Sequence, residues 1–321
     1  MKTKKVALVT GNLGFIGGNL TKRLLGSDEY DFVIGFDSVT YAANPSFLAG
    51  CKDNPRYFSV YGDIRNIDRL NGTFEEFGVT HVFHLAAESH VDNSISDASP
   101  FFDTNVMGTL NVAQSCLDYR ARLVHVSTDE VYGSLGPHDP EFTEGSHYAP
   151  NSPYAASKAS SDLVVRSFFK THGLEAMITN CSNNFGPNQH SEKFIPVVVD
   201  SLLNYKKIPV YGTGENIRDW LYVTDHCDAL IAVMRHGEPG HKYNIGGGTE
   251  KTNIEIINMI CGILGVHPEK SIQFVEDRKG HDFRYAVDST KVTAHTCWKP
   301  QISFWVGMDS TVRYYRDLWQ K

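Results

Sequence analysis

The stretch VALVTGNLGFIG, residues 6–17, passes from an apolar run through spaced glycines into a helical pattern. Its glycines fit G-x-x-G-x-x-G, in which the first permits a tight turn and the later ones let the helix pack closely on the strand. The N-terminus of such a helix presents unpaired N–H groups and a partial positive charge to phosphates. An ordinary strand-to-helix turn is the alternative, but the context favours a dinucleotide site. The residues predicted for it are Gly11, Gly14, Phe15, Ile16 and Gly17.

Short apolar runs alternate with helical patterns through the first half of the chain. This alternation predicts an α/β fold with a doubly wound parallel (Rossmann) sheet, whose ligands bind at the carboxyl ends of the strands. After about residue 181, loops rich in Asn, Gly and Pro break the rhythm, which predicts a second, smaller α/β substrate-binding domain. We expect residues 1–180 to form the dinucleotide domain, with 221–244 returning to it, and 181–321 to form the interleaved second domain. Predicted strands are 6–9, 32–36, 57–61, 81–85, 123–126 and 176–179, and predicted helices are 15–25, 101–118 and 154–172.

Composition excludes several classes of function. The chain has 321 residues, 41% of them hydrophobic, and a formal charge of −7 without a Lys/Arg run, so we expect no nucleic-acid partner. Six dispersed cysteines are typical of a reducing compartment, and no apolar run is long enough for a signal peptide or a membrane span. We therefore expect a cytoplasmic protein with no membrane partner. The fourteen histidines show no metal-binding spacing, so no metal is expected.

Acidic and small residues follow the next strands. Asp37 ends the second strand, where a carboxylate can hydrogen-bond both ribose hydroxyls and repel a 2′-phosphate, so NAD is favoured over NADP. Asp63 and Ile64 end the third strand and are placed to meet adenine. Small residues at the end of the fourth strand let a cofactor lie close, although plain sheet–helix packing explains the alanines equally well. These residues are Leu85, Ala86, Ala87 and Ser89.

Two pairs of side chains carry candidate chemistry. Tyr154 and Lys158 are spaced i, i+4, so both point from one face of a helix, and the ammonium can lower the pKa of the phenol for proton transfer. Asp129 and Glu130 follow a strand that ends in Ser127-Thr128, and mutual repulsion of adjacent carboxyls helps one of them stay protonated. The alternatives are a surface pair on an amphipathic helix and a solvated pair in a loop. Together the four predict an enzyme that moves protons beside a dinucleotide.

At these residues the chain resembles the extended short-chain dehydrogenases/reductases, and within them the dTDP-glucose 4,6-dehydratases. The triplet Thr128-Asp129-Glu130 is the discriminating element, because related epimerases and decarboxylases are not expected to carry Asp-Glu after the threonine. The motifs that carry the resemblance are the glycine motif, LAAESHVD (85–92), STDEVYG (127–133), YAASK (154–158), NCSNNFGP (180–187), EKFIP (192–196), RDWLYV (218–223), YNIGG (243–247) and DRKGHD (277–282).

The resemblance implies a redox-neutral dehydration of a nucleotide sugar with NAD as cofactor. It implies that Tyr154 takes the proton of the sugar 4-hydroxyl, oriented by Thr128. Glu130 would then remove the C5 proton, and protonated Asp129 would protonate the departing 6-hydroxyl. The product is a 4-keto-6-deoxy sugar nucleotide. A homodimer through residues 101–118 and 155–172 is also implied.

Two arginines, Arg218 and Arg278, are candidates for the diphosphate, because a planar guanidinium matches phosphate oxygens. A structural salt bridge is the alternative for each. The resemblance further implies two sets of residues. Thr104 and Asn184 would help hold the cofactor, and the substrate pocket would be lined by Ser89, Asn183, Lys193, Phe194, Pro209, Tyr211, Asn253 and His281.

The chain departs from the family pattern at Ser38, where a lysine or a similar residue is usual, and at Ser191, where proline is common. It ends at Lys321, whereas many relatives continue and use that tail near the base. The base is therefore left open between thymidine, uridine and cytidine, with glucose favoured over an N-acetylated hexosamine as the sugar. Two alternatives also stay open, namely another sugar-nucleotide enzyme (epimerase or decarboxylase) and a non-catalytic NAD sensor.

Overall fold

The computed structural model describes residues 4–277 and 280–320. Its strands are β1 (Val6–Thr10), β2 (Phe32–Asp37), β3 (Tyr57–Tyr61), β4 (His81–His84), β5 (Arg122–Thr128), β6 (Ala176–Cys181), β7 (Asn183–Phe185), β8 (Ile208–Tyr211), β9 (Ile217–Tyr222), β10 (Lys242–Ile245), β11 (Glu250–Thr252), β12 (Ile272–Val275) and β13 (Arg284–Tyr285). Its helices are α1 (Phe15–Leu25), α2 (Ile67–Phe77), α3 (Val91–Ser96), α4 (Ser99–Phe102), α5 (Thr109–Asp118), α6 (Pro153–His172), α7 (Phe194–Leu203), α8 (Val223–His236), α9 (Asn253–Leu264), α10 (Thr290–Thr296) and α11 (Phe304–Trp319).

Seven strands form one sheet in the order β10-β6-β5-β4-β1-β2-β3. All of its neighbouring strands are parallel. The chain builds outward from β1, first to β2 and β3 on one side and then to β4, β5 and β6 on the other. The direction of winding therefore reverses between β1 and β4, which is where open α/β sheets bind their ligands. This confirms the predicted doubly wound parallel sheet.

The alternation of side chains along β1 explains the two helical layers. Val6 and Leu8 belong to the apolar core beneath α2, α5 and α6, whereas Ala7 and Val9 belong to the core beneath α1 and α8. Every residue of β1 is buried, so both faces of the strand are covered. A parallel strand covered on both faces has a continuous apolar run, which is the pattern that residues 6–9 show.

The smaller part of the structure is built around β9. This strand lies between antiparallel β11 and parallel β13, and β7 pairs with its other half. A separate pair, β8 with β12, lies beside it. Helices α7, α9 and α11 share a third apolar core with β8 and β9. None of the described helices is long and apolar enough to cross a membrane.

The predicted helix over residues 101–118 differs in its geometry from a regular α-helix. It begins earlier, as α4, then widens into a π-helical segment at Asp103–Gly108, and continues as α5 to Asp118. Gly108 packs against Ile64 so closely that an added Cβ would lie 2.4 Å from Ile64 Cδ1. A π-segment inside an α-helix is frequently found at a functional site.

Substitution of Gly17 by alanine tests the turn between β1 and α1. A Cβ at Gly17 would lie 2.1 Å from the carbonyl oxygen of Gly11, and that atom belongs to the backbone. We expect Gly17→Ala to lower the free energy of unfolding by about 1–3 kcal/mol, as overpacked sites do. The matched control is Gly72→Ala within α2, where an added Cβ meets nothing within 4 Å. Alanine there should stabilise the protein by about 0.5–1 kcal/mol. Urea denaturation measures both, and equal effects would contradict the steric argument.

Candidate active site

One cavity opens at the carboxyl ends of β1, β2, β4 and β5, where the winding of the sheet reverses. All of the residues predicted to hold the cofactor line it. The cavity also contains the residues predicted to react. The predicted residues that line it are Gly11, Gly14, Phe15, Ile16, Gly17, Asp37, Asp63, Ile64, Leu85, Ala86, Ala87, Ser89, Thr104, Thr128, Asp129, Glu130, Tyr154, Lys158, Asn183, Asn184 and Lys193.

The turn after β1 leaves a backbone-lined cradle at one end of this cavity. Gly11 has a positive φ of 70°, and an added Cβ would lie 2.8 Å from the backbone of Ala86 on the neighbouring strand end. The N–H of Gly14 donates to the carbonyl of Gly11 at 3.1 Å. The α1 N-cap, Gly14, provides no side-chain cap, so the first helical N–H groups keep their capacity to bind an anion. These features fit the pyrophosphate of a dinucleotide.

Asp37 lies at the end of β2, on the rim of the same cavity. Its carboxylate accepts hydrogen bonds from the N–H groups of Leu13 at 3.0 Å and Val39 at 2.8 Å. Burial raises the pKa of Asp37, although these two hydrogen bonds oppose the shift. Each carboxylate oxygen has a second lone pair, so the group can still accept from two hydroxyls. A ribose in this position would satisfy that capacity.

The acid pair begins a single 3₁₀ turn, Asp129–Tyr132, directly after β5. The Thr128 hydroxyl accepts from the N–H of Glu130 at 3.3 Å and donates to Oδ1 of Asp129 at 3.3 Å. Asp129 is buried, and within the described residues Oδ2 has no hydrogen-bond partner. Burial, followed by the charges of Glu130 and Asp219, raises the pKa of Asp129 well above its usual range. This environment favours the protonated form of the Asp129 carboxyl.

Helix α6 carries the tyrosine and the lysine. The helix begins at Pro153 after an N-cap serine, Ser152, whose side chain accepts from the N–H of Ala155. One turn further on, the buried Lys158 donates from Nζ to the Val126 carbonyl of β5 at 2.8 Å.

Burial opposes charge on both Tyr154 and Lys158, so it shifts their pKa values in opposite directions. Burial, followed by the charge of Glu130, raises the pKa of Tyr154 well above its usual range, against a hydrogen bond with Thr128 that lowers it. Burial lowers the pKa of Lys158. The phenol therefore needs a stable positive charge close by before it can act as a base.

The predicted substrate residues divide into two groups. Ser89, Thr128, Asn183 and Lys193 line the cavity, and Lys193 Nζ donates to the carbonyl of Ser89 at 3.0 Å. Arg278 lies outside the described residues. The remaining residues lie in the smaller part of the structure and do not line the cavity, and they are Phe194, Pro209, Tyr211, Arg218, Asn253 and His281.

Among the described residues, Arg218 makes its hydrogen bonds to backbone carbonyls. Its guanidinium lies 4.4 Å from the ring centroid of Tyr285 and donates to three backbone carbonyls. One of those carbonyls belongs to Asp282, the last residue of the DRKGHD motif, and another to Phe283, the residue that follows it. Arg218 therefore fixes that segment through carbonyl groups rather than through a carboxylate. Elsewhere in this group, the Tyr211 and His281 rings lie edge to face with 6.4 Å between centroids.

Several cavity residues escaped the sequence analysis. Arg65 lies on the rim and donates from Nε and Nη2 to the carboxylate of Asp63. Its position two residues after that acid could have indicated this ion pair from the sequence. Glu88 lies within the LAAESHVD motif, and its backbone N–H and C=O both bond the side chain of Asn105 in the π-segment. Apart from Glu192, which belongs to the EKFIP motif, the loops that close the cavity carried no local signal. Their lining residues are Thr40, Ala42, Ala43, Gln189, His190 and Glu192.

One group of metal-ligand type lies among the described residues, away from the cavity. Donor atoms of Glu238, His241 and His295 lie within 4.8 Å of one another, and none of these residues lines the cavity. Sequence spacing did not indicate this group, because His295 lies more than fifty residues after the other two. Nδ1 of His295 lies 3.2 Å from the hydroxyl of Tyr243 and so already has a hydrogen-bond partner.

The raised pKa of Asp129 has a consequence for stability. Because the folded-state pKa exceeds the unfolded value, the contribution of this carboxyl is fully present below about pH 4 and is lost as the pH rises through the folded-state pKa. We expect the Tm of Asp129→Asn, relative to the wild type, to rise as the pH is raised from 5 to 8, because the wild type loses the contribution of this carboxyl above its unfolded-state pKa. The control is Asp309→Asn, since the pKa of exposed Asp309 is lowered by Arg313. Thermal melts at both pH values measure this, and a constant difference for Asp129→Asn would contradict it.

Comparison with known proteins agrees with this site. The family model of GDP-mannose 4,6 dehydratase matches residues 8–311. A dTDP-glucose 4,6-dehydratase of Haemophilus influenzae is 44% identical over 96% of this chain and 97% of its own length, and a low-salt glycan biosynthesis protein of Haloferax volcanii is 46% identical over 96% and 97%. The crystal structure of DesIV, a dTDP-glucose 4,6-dehydratase of Streptomyces venezuelae with NAD and TYD bound, has 46% identity and a TM-score of 0.94 over 97% of each chain. The chain belongs to the nucleotide-sugar 4,6-dehydratase family, as its motifs predicted.

Proposed function

We propose that this protein is an NAD-dependent nucleotide-sugar 4,6-dehydratase that converts dTDP-glucose to the 4-keto-6-deoxy sugar nucleotide with loss of water. The observation that carries the proposal is a buried carboxyl, Asp129, next to Glu130 in the same cavity as Tyr154 and Lys158. An enzyme that only oxidised or epimerised C4 would have no need for this acid pair. The names of the similar proteins favour dTDP-glucose as the substrate.

The cavity fits NAD in its shape and in its chemistry. A Cβ would fill the cradle at Gly11 and Gly17, and the carboxylate of Asp37 has lone pairs for a ribose. Bound NAD would supply the hydride acceptor for C4 of the sugar and the hydride donor for C6. The residues proposed to hold it are Gly11, Gly14, Phe15, Ile16, Gly17, Asp37, Asp63, Ile64, Leu85, Ala86, Ala87, Ser89, Thr104, Tyr154, Lys158 and Asn184.

The remaining steps are proton transfers by the side chains of the cavity. Tyr154 takes the proton of the sugar 4-hydroxyl, which Thr128 orients, and the resulting C4 ketone acidifies the C5–H bond. Glu130 removes the C5 proton, and Asp129 gives its proton to the 6-hydroxyl, which leaves as water. A proton then returns to C5. General acid–base steps of this kind typically contribute about 10²–10⁴-fold each.

Part of the nucleotide sugar would lie between the cavity and the smaller part of the structure. Asn183 and Lys193 line the cavity, so we propose that they contact the substrate there. For the outer end we propose Phe194, Pro209, Tyr211, Arg218, Asn253, Arg278 and His281. This division corresponds to two interleaved domains, residues 1–180 with 221–244 and residues 181–321. Support comes from the separate apolar core that β8, β9, α7, α9 and α11 share.

Products distinguish this proposal from its alternatives. A UDP-glucose 4-epimerase of Thermus thermophilus is 27% identical over 97% of this chain and 99% of its own, with a TM-score of 0.88, so the fold alone does not select the reaction. Purified protein is incubated with dTDP-glucose, and separately with UDP-glucose, without added reductant. A product lighter by one water with no net NADH supports dehydration. An unchanged mass with an inverted sugar indicates an epimerase, and an untouched substrate indicates a sensor.

Glu130→Gln isolates the base in the elimination. Glutamine keeps the size of the side chain but cannot accept the C5 proton, so exchange of C5–H with deuterated solvent should fall by about 10²-fold or more. NAD binding should be retained, which fluorescence titration measures. In Tyr154→Phe, by contrast, transient NADH should not form. Exchange at the wild-type rate in Glu130→Gln would remove this residue from the role of base.

We further propose a homodimer in the cytoplasm. Three large apolar side chains on the surface of α4, the π-segment and α6 remain substantially exposed, namely Phe102 at 40%, Met107 at 52% and Leu163 at 57%. A second copy of the chain that covered these helices would bury them. All six cysteines are free, which agrees with a reducing compartment.

Leu163→Asp tests the dimer, because it places a charge on an exposed apolar side chain of the proposed interface. We expect light scattering after size-exclusion chromatography to report a dimer for the wild type and a monomer for Leu163→Asp. Leu318→Asp is the matched control, since Leu318 is 48% exposed on α11, away from these helices. A monomeric wild type, or a dimeric Leu163→Asp, would rule out this interface.

A further inference from the structure

A third ionisable side chain follows the tyrosine and lysine along α6. Asp162 comes one turn after Lys158, as Lys158 comes one turn after Tyr154, so the three share a face of the helix. Asp162 is 1% exposed and does not line the cavity, so it cannot touch a ligand there. Carboxylates are almost never fully buried unless they are paired. The proton transfers described above leave this one without a role.

Polar groups from three elements surround the Asp162 carboxylate. Its Oδ2 accepts from the hydroxyl of Tyr148 at 2.7 Å and from Nδ2 of Asn180, on β6, at 3.1 Å. Nε2 of His125, on β5, lies 3.2 Å from its Oδ1. Burial alone would raise the pKa of Asp162, but His125, the charge of Lys158 and the Tyr148 hydrogen bond together hold it below its usual value. Asp162 is therefore a buried anion at neutral pH.

The groups that face Lys158 show where its counter-charge comes from. Histidines lie on the sheet side, His84 on β4 and His125 on β5, with 5.3 Å between their ring centroids. Burial lowers the pKa of both, so both are neutral, and Lys158 lowers them further. Cys181 on β6 also faces it, and burial raises the pKa of that thiol to about 12, so it is neutral as well. Burial lowers the pKa of Lys158, and the negative charge of Asp162 raises it. Asp162 is therefore the ionised partner of Lys158 in this group.

A second lysine, Lys242, also lies near Asp162, and its effect has to be distinguished from that of Lys158. Lys242, on β10, feels the charge of Asp162, and its Nζ lies 4.4 Å from the ring centroid of Tyr148. The phenol of Tyr132 also faces Asp162, and burial raises its pKa, which keeps that phenol protonated. Lys242 does not line the cavity, whereas Lys158 does. Nδ2 of Asn180 bonds both Asp162 and the carbonyl of Thr128, which is a second, uncharged link to the cavity. Of the two cations near Asp162, Lys158 is the one that lines the cavity and so carries charge to the reaction.

We propose that Asp162 is a positioning residue for the first oxidation, and that its buried charge keeps Lys158 an ammonium so that Tyr154 can surrender its proton. The proposal rests on the proposed function of this cavity. Without a counter-ion, a lysine this buried loses its proton, as desolvated amines do. A neutral amine would no longer stabilise the Tyr154 phenolate. Asp162 thus supports the base from two helical turns away, without contact with the substrate.

The test is the pH dependence of the oxidation step in Asp162→Asn. Oxidation is followed as transient NADH from dTDP-glucose, in a Glu130→Gln background that blocks the later elimination. The acid limb reports Tyr154 and the alkaline limb reports Lys158. In Asp162→Asn we expect the alkaline limb to move to lower pH and the acid limb to higher pH. The two shifts together should amount to about 1–3 pH units. At neutral pH the rate should fall about tenfold or more, and Asp162→Glu should recover part of the profile.

Two controls separate charge from structure. Tyr148→Phe removes a hydrogen bond to the same carboxylate but keeps the charge, and Lys242→Met removes the other nearby cation. Both should leave the two limbs in place. An Asp162→Asn profile that is lowered at every pH without movement of its limbs would overturn the proposal and assign Asp162 to stability alone.

Failure of the proposed function is recognised separately. If wild-type protein does not turn over dTDP-glucose, the titration of Lys158 is followed by the ¹³Cε chemical shift of the NAD-bound protein. A lower Lys158 pKa in Asp162→Asn than in the wild type then supports the charge pairing. Equal pKa values would reject it.

Discussion

Removal of ionisable side chains from water is the constraint on which this site depends. A cavity lies at one edge of the parallel sheet. Around it the fold buries an acid and an amine and partly buries a phenol, within β5 with its following turn and helix α6. Burial opposes charge on each of them, so Asp129 and Tyr154 keep their protons while Lys158 tends to lose its own. The tendency of Asp129 suits the chemistry, whereas those of Tyr154 and Lys158 oppose it. An acid catalyst must hold a proton, but a phenol that serves as base needs a cation beside it.

The difference between Asp129, after β5, and Asp162, on α6, shows how one environment produces opposite protonation states. Each of these carboxylates has one oxygen without a hydrogen-bond partner among the described residues, but Asp129 also has a second carboxylate as neighbour, so its protonated form is favoured. Asp162 is equally buried, but hydroxyl, amide and imidazole groups surround it, so its ionised form is favoured. Desolvation is common to both, and the donors decide the outcome. A chain that placed donors around Asp129 would lose the acid, even with an unchanged fold.

Local sequence predicted the parts of this structure that depend on neighbours along the chain. The glycine turn follows from steric limits within residues 11–17, and the spacing of Tyr154 and Lys158 follows from helical periodicity. The sequence did not show what long-range packing decides. Loops without a characteristic pattern close the cavity, through Thr40, Ala42, Ala43, Gln189 and His190. Arg218 is bound by carbonyls from a segment more than sixty residues away. The π-segment at Asp103–Gly108 was missed because an apolar helical pattern does not specify how its hydrogen bonds are spaced.

The position of Asp162 explains why such a group is hard to recognise from sequence alone. A polar residue four places after Lys158 is compatible with a solvated face of α6, and Leu163, the next residue, is exposed. Only the crossing of α6 over β5 and β6 turns that face inward and brings His125 and Asn180 to the carboxylate. The sheet therefore does more than hold the cofactor turn in place. By covering one face of α6 with neutral imidazoles and an amide, it creates a medium of low polarity in which a single negative charge determines whether the lysine stays charged.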